Sequence, residues 1–341
     1  MHKITSFIIA EINKAKRGKE LPSPPPIKSA PHYFEKIFPN QFIVGQEKIK
    51  IDGKEIEVSI KTYHPDALVV EASSEVPDIF SEATIEIKDK LLKACLESAK
   101  KNGAKIDTSE EFSVYQISGY EGDPEQFLEK YSPKIASLLK SEKMELDEQE
   151  IKYTLASSFK YAKDDLAIID WDGAFIFDPK GDFGEILELL ELANYQLLRY
   201  RALSEDLDER LRKTAKLVNP EQKRHWFNLG NKEVVQAFKE VIRIRSESIS
   251  QFETLERDIK LIGEWYMGRV YELASKKFRL NDWRQTVKDK LESLEDIYTI
   301  AAENLGMSRI QALEYIQIMA FFVLQIGWFI ILILEFFYYS K

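Results

Sequence analysis

The stretch Leu166 to Pro179, LAIIDWDGAFIFDP, sets two apolar runs on either side of Asp170-Trp171-Asp172-Gly173. Folded as a hairpin, it puts Asp172 and Gly173 in a two-residue loop and pairs Trp171 with Ala174, Asp170 with Phe175, Ile169 with Ile176 and Ile168 with Phe177. Both faces of this ribbon are apolar beyond the rim. A strand buried on both faces reads as a continuous apolar run, so the hairpin belongs in the middle of a packed sheet.

The same letters are open to a catalytic reading. An apolar run ending in Asp-x-Asp-Gly resembles the opening motif of haloacid-dehalogenase-type phosphotransferases, in which the first carboxylate attacks phosphorus and the second handles the leaving group. That chemistry calls for alternating strands and helices after the motif, bearing a Ser/Thr, a Lys and a second acidic pair at later strand ends. After Pro179 only helical patterns follow, and Ala174 stands where those enzymes carry Thr. The hairpin is therefore preferred, with a phosphohydrolase using Asp170-x-Asp172 as an alternative.

Upstream, KIKIDGKEIEVSIK alternates apolar and polar residues around Asp52-Gly53, the pattern of a type I′ hairpin. ALVVEA, Ala67 to Ala72, predicts a further strand. Phe80, Thr84, Ile87, Leu91 and Cys95 recur at helical spacing until Asn102-Gly103 stops them. EEFSVYQI reads as a strand, Asp123-Pro124 opens another helix with Pro at its first position, and Ile151 to Phe177 holds two or three more strands. Residues 32–180 are thus expected to form an α+β domain with antiparallel hairpins. Before it, residues 1–20 are expected to form a short N-terminal helix and 21–31, LPSPPPIKSAP, a proline-rich extended linker.

Downstream, residues 182–312 read as long amphipathic, coiled-coil-like helices. Asp182 and Glu185 fit a capping box, and Ile186, Leu190, Ala193, Leu197, Tyr200, Leu203, Leu207 and Leu211 step by three or four. A second helix is expected from Asn231 to Phe278, bending or breaking near Ser246 to Ser250. A third, capped by Asp282 and Gln285, carries Val287, Leu291, Leu294, Tyr298, Ala301 and Leu305 in a heptad seam.

That seam leads into YIQIMAFFVLQIGWFIILIL, Tyr315 to Leu334, twenty residues without a formal charge. At about 1.5 Å per residue they reach roughly 30 Å, the thickness of a bilayer core. A transmembrane helix over 315–338 is expected, making the protein a single-pass, C-terminally anchored one. Lys288, Lys290 and Arg309 precede the span and Lys341 alone follows it, so the positive-inside rule places the body in the cytoplasm, or on the matrix side of an organelle.

The chain has 341 residues, of which 44% are apolar and 31% charged, as in folded proteins. A net charge of -9 argues against a body that coats itself with nucleic acid, and one cysteine, Cys95, excludes an intrachain disulfide framework. His2, His32, His64 and His225 show no ligand spacing, and no phosphate-cradling glycine loop occurs. No catalytic residue, metal or cofactor is expected.

Two residue groups point to binding. Arg210, Arg212, Lys213, Lys216, Lys223, Arg224 and Lys232 form a basic segment suited to anionic headgroups, at about 1 kcal/mol per residue. RNA is the alternative ligand, with Trp226 and Phe227 available to stack on bases. Along the span, Glu314, Gln317, Gln325 and Glu335 fall within an arc of about 80° on an ideal helix. Polar groups on one stripe in lipid need partners, which a homo-oligomer supplies; an oligomeric pore along the stripe is a further alternative.

The order of parts, a strand pair, then ELLELANYQLLRYRALSEDLDERL, then LEDIYTIAAENL and ALEY at the membrane edge, resembles the required-for-meiotic-nuclear-division family. The likeness covers roughly Ile151 to Phe337 and is most specific over Glu188 to Leu211. It implies an α/β N-terminal part, a helical part and one C-terminal transmembrane helix. Eukaryotic members are oligomeric mitochondrial inner-membrane proteins linked to mitochondrial translation, which implies a ribosome- or RNA-associated partner. The family supplies no catalytic residues to transfer. The expectation is a tail-anchored, oligomeric scaffold or tether that presents an α+β head to a soluble partner.

Overall fold

A computed structural model describes residues 2–13, 18–20, 41–63, 66–218, 231–259 and 265–339. The proline-rich linker expected at 21–31 lies outside them. The chain divides into two compact units, Met1–Glu205 with Gln251–Val287, and Asp206–Ser250 with Lys288–Lys341.

The first unit is built on one sheet of nine strands among the described residues, in the order β2-β3-β4-β5-β1-β6-β9-β8-β7. Its strands are β1 (His2–Ile12), β2 (Lys19–Glu20), β3 (Gln41–Ile51), β4 (Lys54–Tyr63), β5 (Ala67–Val76), β6 (Ala104–Ile117), β7 (Ser158–Phe159), β8 (Leu166–Ile169) and β9 (Gly173–Phe177). Neighbours run antiparallel except β6 and β9, which are parallel.

The N-terminal segment corrects the expected helix: it is β1, the strand between β5 and β6. Ile4, Thr5, Ile8, Ile9 and Ile12 are β-branched, which suits a pleated surface better than a helix. Because this strand is covered on both faces, its apolar run does not alternate and gives no period-2 signal.

The Asp52-Gly53 hairpin forms as expected. Ile51 pairs with Lys54, and Asp52 and Gly53 take φ of 50° and 80°, the left-handed pair that a type I′ turn requires. At the second Asp-Gly the register differs from the expected one. Ile169 pairs with Ala174 and Ile168 with Phe175, so the loop is Trp171-Asp172 and Gly173 opens β9. Gly173 keeps a negative φ and meets another demand: a Cβ there would lie 2.8 Å from the Ser113 carbonyl oxygen of β6. Glycine at 173 admits the parallel neighbour. It does not serve the turn.

Helices cover both faces of the sheet. On one lie α1 (Ala83–Lys101), α2 (Glu125–Leu139) and the short α3 (Glu148–Leu155). The helix α3 occupies the start of the 151–177 region read as strands, which begin only at Ser158. Leu91, Cys95, Ile135 and Leu139 pack there on Ile4, Ile8, Val58, Val70, Tyr115 and Phe175. Tyr115 stacks on Phe175 at 4.6 Å and donates to the Leu138 carbonyl at 3.0 Å, fixing the end of α2 on the sheet.

The opposite face meets α4 (Gly184–Val218) and α6 (Trp265–Lys277). From Leu189 to Leu198 every residue of α4 is buried, so this stretch is covered all round. Phe112 of β6 bridges Phe7 of β1, at 5.6 Å, and Phe278 just beyond α6, at 5.5 Å. The Tyr271 hydroxyl of α6 donates to the Gln196 side-chain oxygen of α4, and α6 lies against β7 and β8.

The second unit holds the C-terminal part of α4, most of α5 (Asn231–Ile259) and most of α7 (Leu280–Tyr339). Helix α5 runs unbroken through Ser246–Ser250, where a bend or break is expected; the interval between α5 and α6 is 260–264, outside the described residues. Arg210 pairs with Glu247, Lys290 with Asp208, and Arg245 with Glu295 while its guanidinium sits 4.9 Å from the Tyr298 ring. Leu207, Val241, Ile244 and Leu294 are buried among these helices. Leu294, a seam position, is therefore already covered within one chain.

Within α7, Leu313–Phe336 is 24 residues long and apolar enough to cross a membrane, and none of it is buried in this chain. At about 1.5 Å per residue it reaches roughly 36 Å.

Candidate functional site

Two buried clusters of charge lie in the first unit. One is at the Asp170-x-Asp172 turn. Asp170 follows β8 directly, is 6% exposed, and its backbone N–H donates to the Gly173 carbonyl. Its Oδ1 accepts from its neighbour's Trp171 N–H at 3.0 Å and from Lys277 Nζ at 3.1 Å. Lys140, just past the end of α2, stands 3.6 Å from Oδ2 and pairs with Glu150 of α3 at 2.7 Å. Lys277 also lies 4.8 Å over the ring of Tyr153 in α3. Asp170 thus joins α2, α3 and α6 to the β8–β9 turn.

Asp172 behaves differently from Asp170. It is exposed at the loop, and partial burial with Asp170 nearby holds its carboxyl above the usual range against the pull of Lys88 and Lys140. A phosphoryl acceptor must reach its substrate, whereas Asp170 is enclosed by two lysines of its own chain. Among the described residues no group of three or more His, Cys, Asp or Glu is arranged to hold a metal ion. Trp171, 42% exposed at the tip, sets its ring edge-on to Phe278 at 6.2 Å.

The second cluster lies between β4, β5 and α4. Lys61 Nζ is 2.7 Å from Glu71 Oε2 and 3.1 Å from Glu191 Oε1. The Tyr63 hydroxyl donates to Glu191 Oε2 at 2.6 Å. Burial pushes the Glu191 carboxyl up to about 7, with Glu71 adding to the rise and Lys61 opposing it. Burial also raises Glu71, but the Lys61 charge outweighs it and holds Glu71 below the usual range. Burial presses the Lys61 ammonium down, yet its two carboxylates keep it protonated. Further along α4, Arg199 pairs with Asp66 at 2.7 Å and Glu11 at 3.6 Å, and Arg201 with Glu110. Glu11, Glu71 and Glu110 of the sheet, and Asp66 in the turn before β5, are thus matched by α4 or β4.

The expected site residues fall as follows. In the basic segment, Arg210 is held by Asp206 and Glu247, Lys213 pairs with Glu209, and Arg212 donates to the Asp208 carbonyl. Lys216 lies in α4 and Lys232 in α5, and Lys223, Arg224, Trp226 and Phe227 lie outside the described residues. Arg210 and Lys213 are therefore held in ion pairs within the chain. Glu314, Gln317, Gln325 and Glu335 are all exposed on α7. Sequence reasoning singled out Asp170 but not the lysines that hold it, and it missed the second cluster: Glu191 and Lys61 are separated by 130 positions, and a Glu on an apolar helix stripe was the one local signal.

A family model described as "Uncharacterized protein MJ0711, N-terminal domain" matches residues 8–183, just over half of the chain. The chain belongs to this family. An uncharacterized protein, MJ0711 of Methanocaldococcus jannaschii, is 29% identical over 272 residues, covering 80% of this chain and 80% of its own length. No solved structure matches. The MJ0711 N-terminal domain as matched contains Lys61, Tyr63, Glu71, Asp170 and Asp172. It stops before Glu191 and Lys277, the residues that complete both clusters.

Proposed function

We propose that this protein is a membrane-anchored scaffold whose α+β unit is presented to a soluble partner. The observation that carries the reading is Leu313–Phe336: an apolar helix of this length with no buried residue has an entire circumference that water disfavours and lipid accepts. The excess of Lys and Arg before the span favours a cytoplasmic body. The polar stripe Glu314, Gln317, Gln325 and Glu335, open on α7, favours homo-oligomerisation in the bilayer, where each glutamine gains a partner from another copy. The heptad seam adds less to this, since Leu294 is covered within the chain. The likeness to the required-for-meiotic-nuclear-division family belongs to the same proposal. It rests on residues 151–337, largely beyond the matched family domain, and suggests a partner associated with ribosomes or RNA.

Asp170 held between Lys277 and Lys140 supports a structural part for the Asp-x-Asp turn more than a phosphohydrolase. The test of the scaffold reading is membrane fractionation of the full chain beside a form ending at Ala312. A soluble, folded truncated form supports it, and a truncated form still bound to membranes overturns it.

A further inference from the structure

Two carboxylates and a single ammonium are enclosed together between the sheet and α4. β4 contributes Lys61 and Tyr63, β5 Glu71, α4 Glu191 and the half-buried Glu188, and the charge of Lys3 on β1 acts on Glu71 from the edge of the cluster. A single ammonium, Lys61 Nζ, contacts both carboxylates, 2.7 Å from Glu71 Oε2 and 3.1 Å from Glu191 Oε1, so the two acids stand side by side. Two carboxyl groups hydrogen-bond to each other only if one carries a proton, because an ionised carboxylate has acceptors alone. If both were ionised, Lys61 would face two negative charges, that of Glu191 almost wholly withdrawn from water.

We propose that Glu71 and Glu191 share one proton, and that this proton fastens α4 to the sheet. With the proton in place, Glu191 donates to Glu71, accepts from Tyr63, and leaves Lys61 matched by one net negative charge. Without it, the carboxylates repel across the interface that α4 forms with β4 and β5.

The sign follows from the position of Glu191, pushed up to about 7 from the ordinary carboxylate range, chiefly by burial. A carboxyl whose folded pKa is raised contributes stability that is complete below the unfolded value and is lost as pH rises through the folded one. Glu71, held low, works in the opposite sense and only on the acid side. The fastening of α4 therefore weakens as pH rises through neutrality.

The experiment is hydrogen exchange on the full chain in detergent, following peptides from 186–203 at pH 6 and pH 8.5 after correction for intrinsic exchange. Protection of α4 is expected to fall about tenfold per pH unit above the pair's pKa. Glu191→Gln supplies a permanent neutral donor and acceptor and is expected to abolish the dependence. An infrared band for a buried protonated carboxyl should be present in the wild type at pH 6, lost by pH 8.5, and missing in the variant. Where Glu191→Gln does not fold, Glu71→Gln serves the same comparison. Equal protection at the two pH values, or a variant that keeps the wild-type dependence, overturns the proposal.

Discussion

Lys277 Nζ and Asp170 Oδ1 lie 3.1 Å apart across 107 positions of sequence, joining the last turn of α6 to the turn between β8 and β9. Both side chains are largely withdrawn from water. Removing one partner of such a pair leaves the other charge poorly solvated, whereas replacing both with apolar groups need not destabilise. Asp170→Ala is expected to cost about 3 kcal/mol in denaturant unfolding, and Asp170→Ala with Lys277→Met less than the sum of the single changes. Additive costs would show that the two residues are not coupled.

Gly173 and Gly53 both follow an aspartate, and they are expected to respond differently to alanine. At Gly53 the penalty comes from a φ of 80°, with nothing within 4 Å of the added carbon, and about 1 kcal/mol is expected. At Gly173 the added carbon meets backbone that cannot turn aside, and about 2 to 3 kcal/mol is expected. Paired urea titrations check this, and a smaller loss at 173 than at 53 would mean that the β6–β9 approach is looser than described.

These two glycines show what the sequence carries. An Asp-Gly between alternating strands announces its turn locally, and the first hairpin was legible in full. At the second, the hairpin was legible but its register was not, because the glycine answers to β6, some 60 positions earlier in the chain. The N-terminal strand was misread for a related reason. A strand covered on both faces loses the period-2 signal, leaving only β-branched content to separate it from a helix. The terminal apolar helix needed no partner to be recognised, since its length and lack of charge are local properties. Both buried clusters depend on partners more than 100 positions apart, which periodicity cannot bring together.

The family's N-terminal domain ends at residue 183 and the compact unit does not. Residues Leu189 to Leu198 of α4 cover the face of the sheet that bears Phe7, Val69, Phe112 and Val114. A fragment of residues 1–183 is expected to bind a hydrophobic dye and unfold without cooperativity, because that face would meet water. Cooperative thermal unfolding of the fragment, without dye binding, would show that the sheet is stable with only α1, α2 and α3 on it.

Tyr63→Phe removes a donor that stabilises ionised Glu191. A buried hydrogen bond to a carboxylate contributes about 2 kcal/mol, so a loss of that order is expected at high pH, where Glu191 is charged. Because the lost bond favours the charged form, the Glu191 pKa rises further, and the pH at which α4 loosens moves upward. Hydrogen exchange of residues 186–203 against pH reads both effects, and a downward move would contradict the assigned direction of this bond.

The most direct test of the account is the membrane partition of the full chain and of a form ending at Ala312, measured by alkaline extraction with circular dichroism on the soluble fraction. The full chain is expected to stay with the membranes after extraction. The shortened form should appear in the soluble fraction with its sheet and helices intact. A full chain released by alkali, or a shortened form that remains in the membranes, would contradict anchoring through Leu313–Phe336.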